Sequence, residues 1–405
     1  MSWTVLVAES LEERDRELCR RLESAWNPKT GQLEAQLLVP TLQRTAYLQA
    51  RIVEHFEGRC WLPRVETLEQ FLRRQSQSLE EPAPWISDEM RILMIQALLP
   101  ETEYGKRRSP GRGTARRFLE VIEALSGVWR EDRDLDPLAQ KLLGDPHAYG
   151  HTVVELARRY ERRLRERNVR DWRLVALDLI EAWRRQAGSP LGRTLVVDSF
   201  SRLRPIEADL LDALAARFLE VIVTLSGSDS DLDKELNRRG LLVQRSVWSW
   251  AKRHRPRVVF CRPSEDDGSR SAGLRQVARR LFEPVAALLE APPLALPPGG
   301  LRLLRPATRR EEVRRVAREI RDSARSLPAL DLQGIALVVP SVQAYRELIQ
   351  EVFQEYGVPV VFFQGVPLAS HPEVRRALKL LRLLAREEGR LDRRDDRRPD
   401  PRGPT

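Results

Sequence analysis

Leu195-Val196-Val197-Asp198-Ser199-Phe200-Ser201-Arg202-Leu203-Arg204-Pro205-Ile206-Glu207 is the stretch around which the rest of the chain is organised. Leu195 to Val197 is a short apolar run with β-branched residues, the pattern of a strand buried on both faces of a parallel sheet. Asp198 stands where that strand ends, and open α/β sheets collect ligands at the carboxyl ends of their strands. Pro205 suits the first turn of the following helix, and Leu210, Leu211 and Leu214 give that helix an apolar face.

A hydrophobic strand ending in Asp is also how phosphate-loop ATPases hold magnesium, with a neighbouring acid that positions water. Here the neighbour is Ser199, so the motif keeps half of that chemistry, and an ordinary α/β strand ending in Asp reads the same way. The first strand, Trp3 to Ala8, leads through Glu9 and Ser10 into an amphipathic helix over Leu11 to Leu22, with Leu11, Leu18 and Leu22 on one side. A phosphate-binding loop needs glycines there, so that backbone N–H groups can approach the phosphates, followed by Lys and Ser or Thr. None is present, and Glu9, Glu12 and Glu13 would repel a triphosphate.

The 405 residues are enough for two or three domains, and 42% of them are hydrophobic, enough for a sizeable core. No run of about 18 apolar residues marks a membrane span, and no basic region precedes an apolar stretch at the N-terminus. Cys19, Cys60 and Cys261 are scattered, without metal-ligand or disulfide spacing, which fits a reducing cytoplasm. The net charge of +10 is compatible with a nucleic-acid partner. The cations are nearly all Arg, however, and most alternate with acids along helices, as a solvated face with i,i+4 pairs also would.

Strand and helix alternate through the first part: strand Leu37–Val39, a helix to about Phe56 with Thr41 as its cap, strand Arg64–Thr67, then another helix. This predicts a parallel sheet with right-handed crossovers. From Asp88 to Ala187 only helical periodicity appears, interrupted by the basic loop Gly105–Gly113. Strands resume at Thr194, at Leu219–Leu225 and at Arg257–Cys261. The expected domains are 1–80 with 190–262 as a first α/β domain and 81–189 as a helical insertion. Residues 263–300 form a linker rich in Pro and Gly, 301–384 a partial second α/β domain, and 385–405 a disordered tail. In the second domain, strands are expected at Leu301–Leu304, Ile335–Val339 and Val358–Phe363.

The ordered series of strand ends resembles the AddB/RexB family, the inactivated superfamily I helicase subunit of the bacterial ATP-dependent helicase/deoxyribonuclease. Leu38-Val39-Pro40-Thr41-Leu42-Gln43-Arg44 is similar to the family's second helicase motif. Val65-Glu66-Thr67-Leu68-Glu69-Gln70-Phe71 resembles the Thr-containing strand end after it, and Val196-Val197-Asp198-Ser199-Phe200 the degenerate second ATPase motif. Ile335 to Tyr345, Gly357-Val358-Pro359 and His371-Pro372 resemble the start of the second motor domain, so the resemblance extends to about Leu384. It departs from the family at Glu9–Leu11, where many members keep a glycine-rich phosphate loop, and at Pro340, near which active motors place an Arg. The family's nuclease region, with its magnesium carboxylates and iron–sulfur cysteines, has no counterpart.

The resemblance implies a P-loop-NTPase-like (RecA-like) parallel-sheet domain with a helical insertion, plus a partial second RecA-like domain. It implies a non-motor, cytoplasmic subunit or fragment of a helicase–nuclease complex that processes DNA double-strand breaks for recombinational repair. Such a chain would contact a DNA single strand or duplex end and a helicase–nuclease partner, with no membrane. The expected DNA contacts are Thr41, Gln43, Arg44 and Thr67, with binding that falls steeply as salt rises. Asp198 and Ser199 form the degenerate ATPase motif, and no catalytic residue, metal ligand or cofactor is assigned. Two alternatives stand beside this reading: an active ATP-dependent DNA helicase, and a general protein-interaction scaffold that does not bind DNA.

Overall fold

The structure, a computed structural model, describes residues 1–61, 63–79, 82–107, 111–125, 129, 149–185, 191–227, 242–261, 277, 301–326, 332–362 and a few positions between 373 and 380. The chain divides into two compact units, Met1–Pro297 and Pro298–Thr405. The expected linker, apart from residue 277, and the expected tail lie outside the described residues.

The first unit is built on β1 (Ser2–Ala8), β4 (Ala35–Val39), β5 (Val65–Thr67), β6 (Gly192–Val197), β7 (Phe218–Ser226) and β8 (Arg257–Phe260). They form one six-stranded sheet in the order β5-β4-β6-β7-β1-β8, and every neighbouring pair is parallel. A small antiparallel pair, β2 (Trp26–Asn27) with β3 (Gln32–Leu33), precedes β4.

Alternation along the strands sends side chains to two covered faces. Leu6, Leu37, Val39, Val196 and Ile222 pack with Leu18 and Leu22 of α1 (Leu11–Leu22) and with Leu48 and Ile52 of α2 (Leu42–His55). Val5, Val7, Leu38, Leu195, Val197, Val221 and Val223 face the other way. There they meet α3 (Leu68–Ser76) and helices that follow later in the chain.

Between β5 and β6 lies the helical block: α4 (Asp88–Leu98), α5 (Glu103–Arg107), α6 (Arg112–Leu125), α7 (Tyr149–Glu166) and α8 (Trp172–Arg185). Phe118, Tyr160 and Trp129 fill its own core. The expected basic loop is shorter than its sequence suggests, because Gly105 sits inside α5 and Gly113 inside α6. At Gly105 an added Cβ would clash with the Leu99 carbonyl oxygen, so the close approach of the backbone there requires glycine. The α8 side chains Val175, Leu179 and Trp183 join the sheet's core, so the block is fastened to the α/β layer by an apolar seam. The unit is completed by α9 (Pro205–Ala215), which opens on Pro205, and by α10 (Leu242–Lys252).

The second unit contains α11 (Arg309–Ser326) packed on α12 (Val342–Tyr356) through Val313, Ala317, Ile349, Val352 and Phe353. Val339, Val358, Val360 and Phe362 lie against this pair. The strands expected at 301–304, 335–339 and 358–363 carry no ladder among the described residues. A run of apolar residues becomes a strand only where a neighbour satisfies its backbone groups.

Candidate functional site

The sheet register brings together residues far apart in sequence. Val197 pairs with Val223, and Val5 with Val223 on the other side, so Asp198 emerges beside Thr224 at the carboxyl edge of the sheet. The Asp198 side chain is fully buried. Its Oδ1 accepts the Thr224 hydroxyl at 2.7 Å and its Oδ2 accepts Nε–H of Arg44 at 2.6 Å. The Arg44 fork then donates Nη1 and Nη2 to Asp15 at 2.9 and 2.5 Å. Arg14 lies over the same corner, its Nε 3.9 Å from Asp198 Oδ1, and donates Nη2 to Ser199 Oγ at 2.6 Å and Nη1 to Ser226 Oγ at 3.3 Å.

Arg14, Asp15, Arg44 and Asp198 therefore form a buried quartet whose charges sum to zero. Each is at most 8% exposed. Burial by itself would raise the Asp198 carboxyl, but the Arg44 hydrogen bond, the charges of Arg14 and Arg44 and the Thr224 hydroxyl outweigh it, and the group is held below the usual carboxylate range. Burial pulls Arg14 below the ordinary guanidinium value, and the like charge of Arg44 adds to that against the opposing pull of Asp198 and Asp15. Arg44 moves the other way: its burial is outweighed by hydrogen bonds to Asp15 and Asp198.

Ser199 adopts a left-handed backbone, with φ of +61°. For a residue with a Cβ this conformation is costly and persists only where its surroundings enforce it. The enforcement is visible: Ser199 N–H donates to Thr224 Oγ1 at 3.0 Å while its own hydroxyl accepts from Arg14.

The turn where a phosphate loop would be expected is short. Only Glu9 and Ser10 separate β1 from α1. Ser10 caps the helix by accepting from Glu13 N–H at 3.2 Å, and Glu13 Oε2 in turn accepts from Ser10 N–H at 3.3 Å. Two of the donors that an anion would use at a helix start are thus taken by the chain itself.

The expected DNA-contact residues separate into two groups. Thr41 and Thr67 cap α2 and α3, accepting from Arg44 N–H at 3.2 Å and Gln70 N–H at 3.3 Å. Both line a cleft of about 650 Å³ between the carboxyl edge of the sheet and the helical block. Gln43 is exposed on the first turn of α2 but is not among the lining residues. Arg44 does not face that cleft, because two buried carboxylates take its guanidinium inward.

The far wall carries residues that sequence reading missed. Trp85 has the Arg73 guanidinium 4.9 Å from its ring centroid, and Trp172 has that of Arg204 at 4.3 Å. On the sheet side, Phe200 adds to the apolar lining. Most charge in the cleft is paired locally: Arg73 with Glu69, Arg91 with Asp88 and Glu123, and Arg204 with Glu207. Arg202 lines the cleft, is exposed and has no ion-pair partner among the described residues.

Arg14 and Asp15 had a sequence signal. They precede Leu18 by four and three positions, on the buried stripe of α1, whereas Leu11, expected on that stripe, is 41% exposed. Charges on an apolar helical stripe mark a paired buried site.

Among the described residues, no group of three or more His, Cys, Asp or Glu is arranged to hold a metal ion, and no helix is long and apolar enough to cross a membrane. No protein-family model matches the chain. Its curated relatives include the AddB-type subunit of the ATP-dependent helicase/deoxyribonuclease in three organisms. The Natranaerobius thermophilus protein is 27% identical over 197 residues, 45% of this chain and 16% of that protein. The Desulforudis audaxviator protein is 30% identical over 186 residues, 44% and 15% of the two chains, and the Moorella thermoacetica protein 31% identical over 195 residues, 45% and 16%. These matches span about one-sixth of the relatives' length and less of this chain than the resemblance to Leu384. The chain is AddB-like, related over just under half of its length to the AddB-type subunits of helicase/deoxyribonucleases.

Proposed function

We propose that this chain is a non-motor, helicase-fold component of a helicase–nuclease assembly that processes DNA double-strand breaks, contributing DNA contacts and scaffolding. The observation that carries the reading is the quartet at the end of β6. In a motor, that corner would hold magnesium and triphosphate. Here Arg44 and Arg14 supply the cationic charge from within, and opening the corner for a nucleotide would strand buried charges. Pro340, where an active motor would place an Arg, precedes the Ser341 cap of α12.

The DNA-contacting part is the cleft lined by Thr41, Thr67, Trp85, Trp172, Phe200 and Arg202. Aromatic faces stack on unpaired bases without regard to sequence. The alternative, a scaffold that binds no DNA, draws on the internal pairing of the cleft's charges. Fluorescence anisotropy with labelled single-stranded and duplex oligonucleotides separates them, beside calorimetry with magnesium–ATP. The expected result is weak binding to single strands and no nucleotide heat. Nucleotide hydrolysis lost in Asp198→Ala would instead support the active helicase.

A further inference from the structure

No member of the quartet lines the cleft, yet both sheet-side rims start from it. One rim is Pro40-Thr41-Leu42. It leads into the first turn of α2, where Arg44 N–H donates to Thr41 Oγ1 while the Arg44 guanidinium is bound to Asp15 and Asp198. The other rim is Phe200, Arg202 and Arg204. It follows Ser199, whose left-handed backbone is held by Thr224 and whose hydroxyl is held by Arg14.

We infer that Arg14, Arg44, Asp198 and Thr224 act as an internal latch, positioning residues that hold the two sheet-side rims of the cleft in one fixed arrangement. Such rims can be set by a bound ligand or by the protein's own charges. Here the charges are internal and balanced, α1 and α2 are tied to the ends of β6 and β7, and Arg14 Nε is buried without a hydrogen-bond partner. A donor left unsatisfied at that depth marks a position imposed by its neighbours. Consequently the grip of the cleft does not depend on nucleotide, and loosening the latch alters binding although none of its members lines the cleft.

This inference rests on the reading of the cleft as a DNA site, so its test has two readouts. Thr224→Val removes the hydroxyl that bridges Ser199 N–H and Asp198 while keeping the volume. Arg14→Met removes the second cation. Leu214→Ala, in the buried face of α9, serves as a destabilised control outside the latch, within the apolar core it shares with Phe200 and Leu203. With the full chain and an oligo-dT probe, Thr224→Val and Arg14→Met are each expected to weaken binding about tenfold, while Leu214→Ala leaves it unchanged. Hydrogen exchange at the Thr41–Arg44 and Phe200–Leu203 amides should accelerate in the first two variants alone.

If the wild-type chain binds no oligonucleotide, the DNA reading fails and the latch is judged on exchange. Acceleration confined to the two rims then sustains it. Unchanged rim exchange in Thr224→Val, or equal loss of affinity in Leu214→Ala, overturns it. Should Arg14→Met fail to fold, Thr224→Val decides alone.

Discussion

Arg44 Nε and Asp198 Oδ2 meet at 2.6 Å across 154 residues of sequence, both buried, and that bond closes the corner where the carboxyl edge of the sheet would otherwise open. It joins the first turn of α2 to the end of β6. Breaking a buried pair from one side costs roughly 3–5 kcal/mol, because the other charge stays behind. Arg44→Met is expected to destabilise the first unit by about that amount in urea unfolding. Arg44→Met combined with Asp15→Asn should recover part of the loss, since it removes one of the stranded carboxylates. Equal stability of Arg44→Met and wild type would show that the quartet does not stabilise the fold.

Acid stability follows from Asp198. Its folded pKa lies below its unfolded value of about 3.9, so its contribution is complete above that pH and is lost as pH falls toward the folded value. Unfolding free energy should therefore decline below about pH 4, and Asp198→Asn should show a shallower decline in the same window. Identical slopes for the two proteins would contradict the assignment.

Cys19 contributes on the alkaline side, beside Cys261 and Cys60, whose thiols burial also raises. Burial first, then the charge of Asp15, pushes its thiol up to about 12. The unfolded thiol ionises near 8.5, so above that pH the unfolded state is favoured by up to about 1.4 kcal/mol per pH unit. Cys19→Ala is expected to flatten the loss of stability between about pH 8.5 and 10. Iodoacetamide at pH 8 should label Cys19 only after unfolding, because the residue is 3% exposed and its thiol protonated in the fold.

The cleft makes a prediction about salt that differs from the steep fall expected for DNA contacts at Thr41, Gln43, Arg44 and Thr67. Because Arg73, Arg91 and Arg204 are already paired, few phosphates would be neutralised there, and affinity should fall gently with salt. Arg202→Ala is expected to reduce the salt slope by about one. Trp85→Ala and Trp172→Ala should each cost about 1–3 kcal/mol of single-strand affinity with the slope unchanged. A steep slope that survives Arg202→Ala would move the DNA contact to another surface.

Magnesium–ATP is expected to leave the melting temperature unchanged at millimolar concentration. A ligand that binds the folded state at 100 times its Kd stabilises by about 2.7 kcal/mol, which a thermal shift detects readily. Such a shift, lost in Arg14→Met, would place a nucleotide against the quartet and overturn the non-motor reading.

Much of the first unit is legible in the sequence, because local pattern determines local structure there. The apolar runs at Trp3–Ala8, Leu37–Val39, Leu195–Val197 and Leu219–Leu225 all lie in strands of the parallel sheet, and Thr41 and Thr67 are helix caps. Alternating strands and helices leave few topologies other than a doubly covered parallel sheet. The absence of a phosphate loop at Glu9–Leu11 is equally local. What only the tertiary structure decided is which charges are buried together. Among many arginines, Arg14 and Arg44 differ in nothing local except a place on a buried helical stripe, and their carboxylates come from α1 and from the end of β6. Arg44 could be read as a DNA contact from its motif, yet register and helix packing turn it inward. The same holds for Trp85 and Trp172, which line the cleft together with Thr41 and Thr67 only after the helical block docks on the sheet. In the second unit the limit runs the other way: apolar runs at 301–304, 335–339 and 358–363 read as strands, but a strand is completed by its neighbours, and a single segment's pattern does not supply them.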